Sequence, residues 1–170
     1  MIVNNVAGMA GAVSLQDAPR SQIVHNTIAN NDSTATAQTA FQGNPNQSLG
    51  QPAGIVSYAH SQTLANNMGV GTGREFSEFS NPLLANNIIW RNRSFHWFSP
   101  TGSEFGGLVP DLSMGGFPVY DDLAVRGTAA PASLEPQSSL LTDASAYPGA
   151  GNISADPDFV SEYVNGARSL

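Results

Sequence analysis

Ile2-Val3-Asn4-Asn5-Val6-Ala7, Ile23-Val24-His25-Asn26-Thr27-Ile28 and Leu84-Ala85-Asn86-Asn87-Ile88-Ile89 align without a gap. In each stretch an aliphatic residue precedes an asparagine (Asn5, Asn26, Asn87) by three positions, and an apolar residue follows it by two. Strand side chains alternate faces, so the two apolar positions can enter one core only if the chain turns a corner between them. Asparagine suits such a corner, because it tolerates a left-handed backbone and its amide can bond local backbone or an identical asparagine stacked on it. The repeat predicts an all-β fold, a parallel β-solenoid with a structural ladder of Asn5, Asn26 and Asn87 at one bend.

Asn5 and Asn26 lie 21 positions apart, about one turn of a solenoid whose repeats run to roughly 20–45 residues. Gly11-Ala12-Val13-Ser14-Leu15 and Gly54-Ile55-Val56-Ser57-Tyr58 predict a second strand of the turn. In that register Val13 and Leu15 point inward beneath Val56 and Tyr58, with Ser14 and Ser57 outward. Coils are expected over 2–31 and 54–94, about two to three in all, with flank insertions at 32–53 and 59–81. Loops this long are commonly functional or disordered, and within the second, Ser61 to Met68 predicts one short helix. From 95 to 170 the rhythm fades into an irregular C-terminal layer, with short strands at Val119–Val125 and near Ser139–Thr142 among Pro131, Pro136 and Pro148. The whole chain, 1–170, reads as one domain.

Charged residues make up 11% of the chain, and six arginines with no lysine face thirteen acids for a net charge of −7. That balance excludes a basic docking face for nucleic acid. The chain has no cysteine, which removes disulfides and thiolate metal sites. No apolar run reaches the length of about 18 residues that a membrane helix needs. Met1 is followed at once by what reads as the middle of a coil, so the expectation is a chain that starts inside a longer repeat array, any signal peptide lying upstream. The exposed coil end then predicts a partner, either the larger parent polypeptide or a neighbouring subunit.

The asparagine corners resemble those of right-handed parallel β-helix repeat proteins, the pectate-lyase-like group of secreted and cell-surface bacterial proteins. The segment Asn152-Ile153-Ser154-Ala155-Asp156-Pro157-Asp158-Phe159-Val160 resembles one common near their C-terminal ends. The likeness covers most of 2–31 and 54–94 and returns at 152–160. It implies a right-handed β-helix and an extracellular or cell-surface setting. For function it is permissive, since this fold carries lyases, hydrolases, adhesins and scaffolds.

A lyase of that group would gather calcium on carboxylates, and the candidates are Asp121, Asp122, Asp156, Asp158, Asp111, Glu75 and Glu78. Neighbours on a strand face opposite ways, so Asp121 and Asp122 share a site only if the strand bends. Pro157 predicts a turn between Asp156 and Asp158 in preference to a metal site. The Asn-Thr-Asp, Asp-Asp, His-Gly and Arg-Ile-Lys set of the related hydrolases is absent, leaving Asp121-Asp122 as a lone dipeptide. His25, His60 and His96 match no compact metal spacing; polar stacking is the simpler role for His25, and His60, opening the second insertion, is the catalytic candidate among them. No Gly-x-Ser-x-Gly elbow supports a serine triad.

Trp90, Phe95, Trp97 and Phe98 with Arg91 and Arg93 form an aromatic cluster. Trp90, Arg91, Arg93 and Trp97 are candidate sugar-binding residues, since rings stack on sugars and arginine bonds hydroxyls or carboxylates. Capping of the solenoid end is the competing and simpler role, and Glu75, Glu78, Asp121 and Asp122 are the expected ion-pair partners. Sequons at Asn31, Asn46, Asn92 and Asn152 follow from composition. The expected function is a non-catalytic secreted or surface module, a scaffold or a glycan or protein contact surface. The alternative is a polysaccharide lyase or glycoside hydrolase with its site in the insertions or in coils outside the chain.

Overall fold

The computed structural model describes residues 1–100, 106–110 and 119–160, so Asp111 lies outside the described residues. The protein is all-β, and its strands are dealt in rotation into separate, mainly parallel sheets. β1 (Ile2–Val3), β2 (Val6–Ala7), β3 (Val13–Leu15) and β4 (Gln22–Val24) each enter a different sheet. β5 (Thr27–Ala29), β6 (Asp32–Ser33), β7 (Ile55–Tyr58) and β8 (Leu83–Ala85) revisit the four sheets in the same order, each parallel to its predecessor. β9 (Ile88–Trp90) and β10 (Arg93–Ser94) begin a third pass. The chain then makes an antiparallel hairpin, β11 (His96–Phe98) with β12 (Gly107–Val109), and lays β13 (Val119–Tyr120) antiparallel on β10. β14 (Leu123–Arg126) and β15 (Pro136–Gln137) complete the pass, and β16 (Leu140–Leu141) returns to the first sheet. The expected irregular layer from 95 onward therefore contains strands that extend three of the parallel sheets.

In-register stacking builds the core. Ile2, Ile28, Ile89 and Leu141 pair in succession across the first sheet, and all four belong to the hydrophobic cluster around Ile55, Phe79, Leu84 and Leu134. The β3–β7 register departs from the expected one: Val13 stands opposite Ile55 and Ser14 opposite Val56. One residue of slip exchanges faces, so Ile55 enters the cluster with Val13, Leu15, Leu123 and Val125. Ser57, expected outward, lies opposite Leu15 and Val125 instead, with its buried hydroxyl unpaired among the described residues. Backbone crowding explains the glycines ahead of these strands. A Cβ on Gly11 would meet the Ala53 carbonyl oxygen at 2.3 Å, and one on Gly54 the Asp122 carbonyl oxygen at 2.1 Å.

The corners hold two asparagine columns where one was expected. In the first, the Asn26 N–H donates to Asn87 Oδ1 (2.9 Å), the Asn87 N–H to Ser139 Oγ (3.1 Å) and the Ser139 N–H to Asn152 Oδ1 (3.0 Å). In the second, Asn31 Oδ1 accepts from both the N–H and the amide of Asn5 (3.0 Å each). Asn92 Oδ1 accepts from the Asn31 N–H (3.2 Å) and amide (2.8 Å) in the same way. Asn5 thus stacks on Asn31, 26 residues along, and belongs to a different column from Asn26 and Asn87; the 21-residue interval spans only part of a pass. The left-handed residue is the one before each column asparagine and before Ser139: Asn4, His25, Asn30, Asn86, Arg91 and Ser138 have φ between 46° and 60°, and Gly151, before Asn152, has φ 70°. That frees the column asparagine to bond across passes while its neighbour takes the bend.

The two insertions leave from the second pass. The helix expected over 61–68 is present as α1 (Gln62–Asn67), with Ser61 as N-cap accepting from the Leu64 N–H.

Candidate functional site

Asp121 and Asp122 fall in the break between β13 and β14, where the expected continuous strand is interrupted. The interruption removes the alternation that would have sent them to opposite faces, and both line one cleft of about 360 Å³ with Tyr120, Thr142, Asp143 and Tyr147. Burial raises the Asp121 carboxyl pKa, opposed by the Arg126 guanidinium, whose Nη2 is 3.9 Å away. Burial also raises Asp122, against hydrogen bonds from Thr142 and Asn92 that favour its charged form. Tyr147 is raised by burial and then by the charges of Asp121, Asp122 and Asp143.

The two acids differ in what else they do. Asp122 Oδ1 accepts from the Asn92 N–H (3.0 Å) and amide (2.7 Å), so it is the carboxylate that continues the second column after Asn92. Among the described residues the Asp121 carboxylate has only the long contact to a half-exposed arginine, a pairing worth little. For Asp121, a folded pKa above the unfolded one means that stability falls as pH rises from the unfolded value through the raised folded value, that the full cost stands above it, and that the cost vanishes at lower pH where both states are protonated.

The other expected site residues are dispersed. The His60 ring is buried, outside this cleft, with Nδ1 3.5 Å from Asp17 Oδ1 and neither ring nitrogen hydrogen-bonded among the described residues. The Ser61 N–H donates to the same Asp17 oxygen at 2.7 Å and, with the Ser61 hydroxyl and His60, holds the Asp17 carboxyl below its usual range. Trp90 is 6% exposed, so its faces are closed to a sugar ring; the Arg91 guanidinium lies 5.2 Å from its centroid. Arg93 grips Asp32 through Nε–Oδ1 (2.7 Å) and Nη2–Oδ2 (2.9 Å), a partner that was not among the expected acids. Trp97 sits on the β11–β12 hairpin, against Gly106. Asp156 and Asp158 form a local turn, the Asp158 N–H donating to Asp156 Oδ1 (3.0 Å), with Asp158 at φ 52°. No group of three or more His, Cys, Asp or Glu that could hold a metal occurs among the described residues.

Asn31, Asn92 and Asp32 were missed as functional to the fold. The signal was present: Asn31 follows Asn26, and Asn92 follows Asn87, by the same five residues.

Comparison with known proteins returns nothing. No family model, no curated protein and no solved structure matches this chain. The reading of function therefore rests on the chain's own geometry.

Proposed function

We propose that the sheets are the sides of a right-handed parallel β-helix that serves as a non-catalytic secreted or cell-surface module, a scaffold presenting a contact surface to glycan or protein. The observation that carries this reading is the employment of Asp122 in the asparagine column. An acid that must accept from Asn92 to keep its pass in register is poorly placed to exchange protons with a substrate. The use of Arg93 in the Asp32 pair and the burial of Trp90 support it further.

The alternative, a glycoside hydrolase or polysaccharide lyase, is favoured by one feature: two carboxyls with raised pKa in one cleft, the environment that general acids need. Release of reducing or unsaturated sugar from a panel of neutral and acidic polysaccharides separates the two. The expected result is no release. Release that Asp121→Asn abolishes would overturn the module reading, and the folding of that variant is checked by melting. Because the buried charge is gone, Asp121→Asn is expected to melt above the parent at pH 7 and level with it near pH 3.

The β1, β2, β3 and β4 strands are each terminal in their sheets, and such edges invite pairing. The module reading covers them with further coils or a neighbouring subunit. Light scattering across a concentration series is expected to show self-association of this chain; a monomer at every concentration would remove the subunit from the proposal.

A further inference from the structure

The first insertion carries a groove separate from the acidic cleft, of about 620 Å³ and lined by Thr36, Gln38, Phe41, Gly43, Asn44 and Pro45. Its size falls in the range of small-ligand sites. Residues Gln38–Phe41 form a 3-10 helix, in which positions three apart eclipse, so Gln38 and Phe41 project on one side. Gln42 and Gly43 then take left-handed φ values of 45° and 86°, and the Asn44 N–H donates back to the Phe41 carbonyl (2.8 Å). This turn brings Asn44 and Pro45 round to the same groove.

The loop is held in place along its length. Ala40 is fully buried, and its carbonyl accepts from the Leu49 N–H (2.9 Å). The Ala37 N–H donates to Gly8 (3.3 Å), the Ser48 N–H to Trp97 (3.0 Å) and the Ser99 N–H to Asn46 (2.8 Å). Trp97 N–H in turn donates to Ser48 Oγ (2.8 Å). The 46–48 segment is thereby laced to β11, and a ligand meets a groove whose ordering cost has been met by folding.

The lining chemistry selects the occupant. None of the described lining residues is ionisable, in a chain carrying a net charge of −7, so the groove offers a charged ligand no counter-charge. What it offers is one aromatic ring, a proline, a hydroxyl and two primary amides, each amide able to donate and accept. Asn44 Oδ1 accepts from the Asn46 N–H (3.0 Å), while its amide N–H groups have no partner among the described residues. A ring face flanked by uncharged donors and acceptors complements a pyranose, whose C–H face is apolar and whose rim is hydroxylated.

The geometry points to this groove as a binding site for neutral saccharide, with Phe41 as the stacking platform and Gln38 and Asn44 as hydroxyl partners. The assignment rests on the reading of the chain as a contact module and names the chemistry of one contact. The test is titration calorimetry of the full chain with neutral oligosaccharides (β-glucan, xylan and mannan fragments) and with uronate oligosaccharides. At least one neutral series is expected to bind, more tightly than any uronate. Phe41→Ala is expected to weaken it tenfold or more and Gln38→Ala, at an exposed position, several-fold, with melting of the Gln38 variant unchanged. Binding unaffected by both substitutions overturns the groove and leaves the contact reading standing. No binding by any saccharide overturns both for glycan, and preference for uronate, or displacement by a proline-rich peptide alone, overturns the assignment to neutral sugar.

Discussion

Asp32→Ala is expected to lower the unfolding free energy by about 3–5 kcal/mol, the usual cost of taking one partner from a desolvated, hydrogen-bonded ion pair. Asp32 is fully buried, and the Arg93 side chain is 15% exposed. Both nitrogens of the fork meet both oxygens of the carboxylate, at 2.7 and 2.9 Å. Removing the carboxylate takes from the guanidinium a two-bond anionic partner beneath the surface, a loss that the aromatic ring of Phe95, 5.3 Å from it, does not replace. Because Asp32 and Arg93 pair across β6 and β10, the loss falls on the contact between the second and third passes. Urea unfolding measures it. Asp32→Leu with Arg93→Met is expected to recover most of the deficit, as apolar replacement of a whole buried pair commonly does. A loss below about 1 kcal/mol for Asp32→Ala would mean that the pair behaves as an exposed one.

Asn31→Ala is the second large effect, with an expected loss of about 3 kcal/mol. Asn31 is fully buried and is bonded on both sides: it accepts twice from Asn5, and its amide donates to Asn92 Oδ1 (2.8 Å) and the Ile2 carbonyl (3.1 Å). Alanine strands groups in two neighbouring passes, and each unsatisfied buried polar group costs roughly 1–3 kcal/mol. Asn5→Ala, at the exposed end of the same column, removes fewer bonds and leaves its neighbour open to water, so a loss below about 1 kcal/mol is expected. Equal losses at the two positions, measured by denaturant unfolding, would refute the column as a cooperative element.

The contrast between these residues shows how far the candidate site was legible. Asp121 and Asp122 were visible as an acidic dipeptide, and their convergence depended on whether the strand broke, which composition does not tell. The break comes where the chain leaves an antiparallel strand on β10 and joins a parallel one on β7. Arg93 was visible as a charge beside aromatics, but its partner lies 61 residues earlier. Trp90 looked like a sugar platform because local pattern carries no information on which face another pass will cover.

What the amino-acid sequence determined by itself is the corner: aliphatic residues either side of a bend, an asparagine in the bend, and hence short strands in an all-β chain. That inference needs only the alternation of strand faces, a local property; the left-handed backbone expected of Asn5, Asn26 and Asn87 falls on the residue before each of them, Asn4, His25 and Asn86. The tertiary structure decided which corner stacks on which. Asn26 does meet Asn87, whereas Asn5 meets Asn31, because stacking depends on the full length of chain between one return to a sheet and the next: 26 residues from Asn5 to Asn31 with neither insertion, 61 from Asn26 to Asn87 with both. Long-range pairing likewise decided the one-residue slip that buried Ser57 and placed Asp122 against Asn92. A shift of one position exchanges every inward and outward side chain, so the assignment of residues to core, column or cleft was made by the long-range pairing.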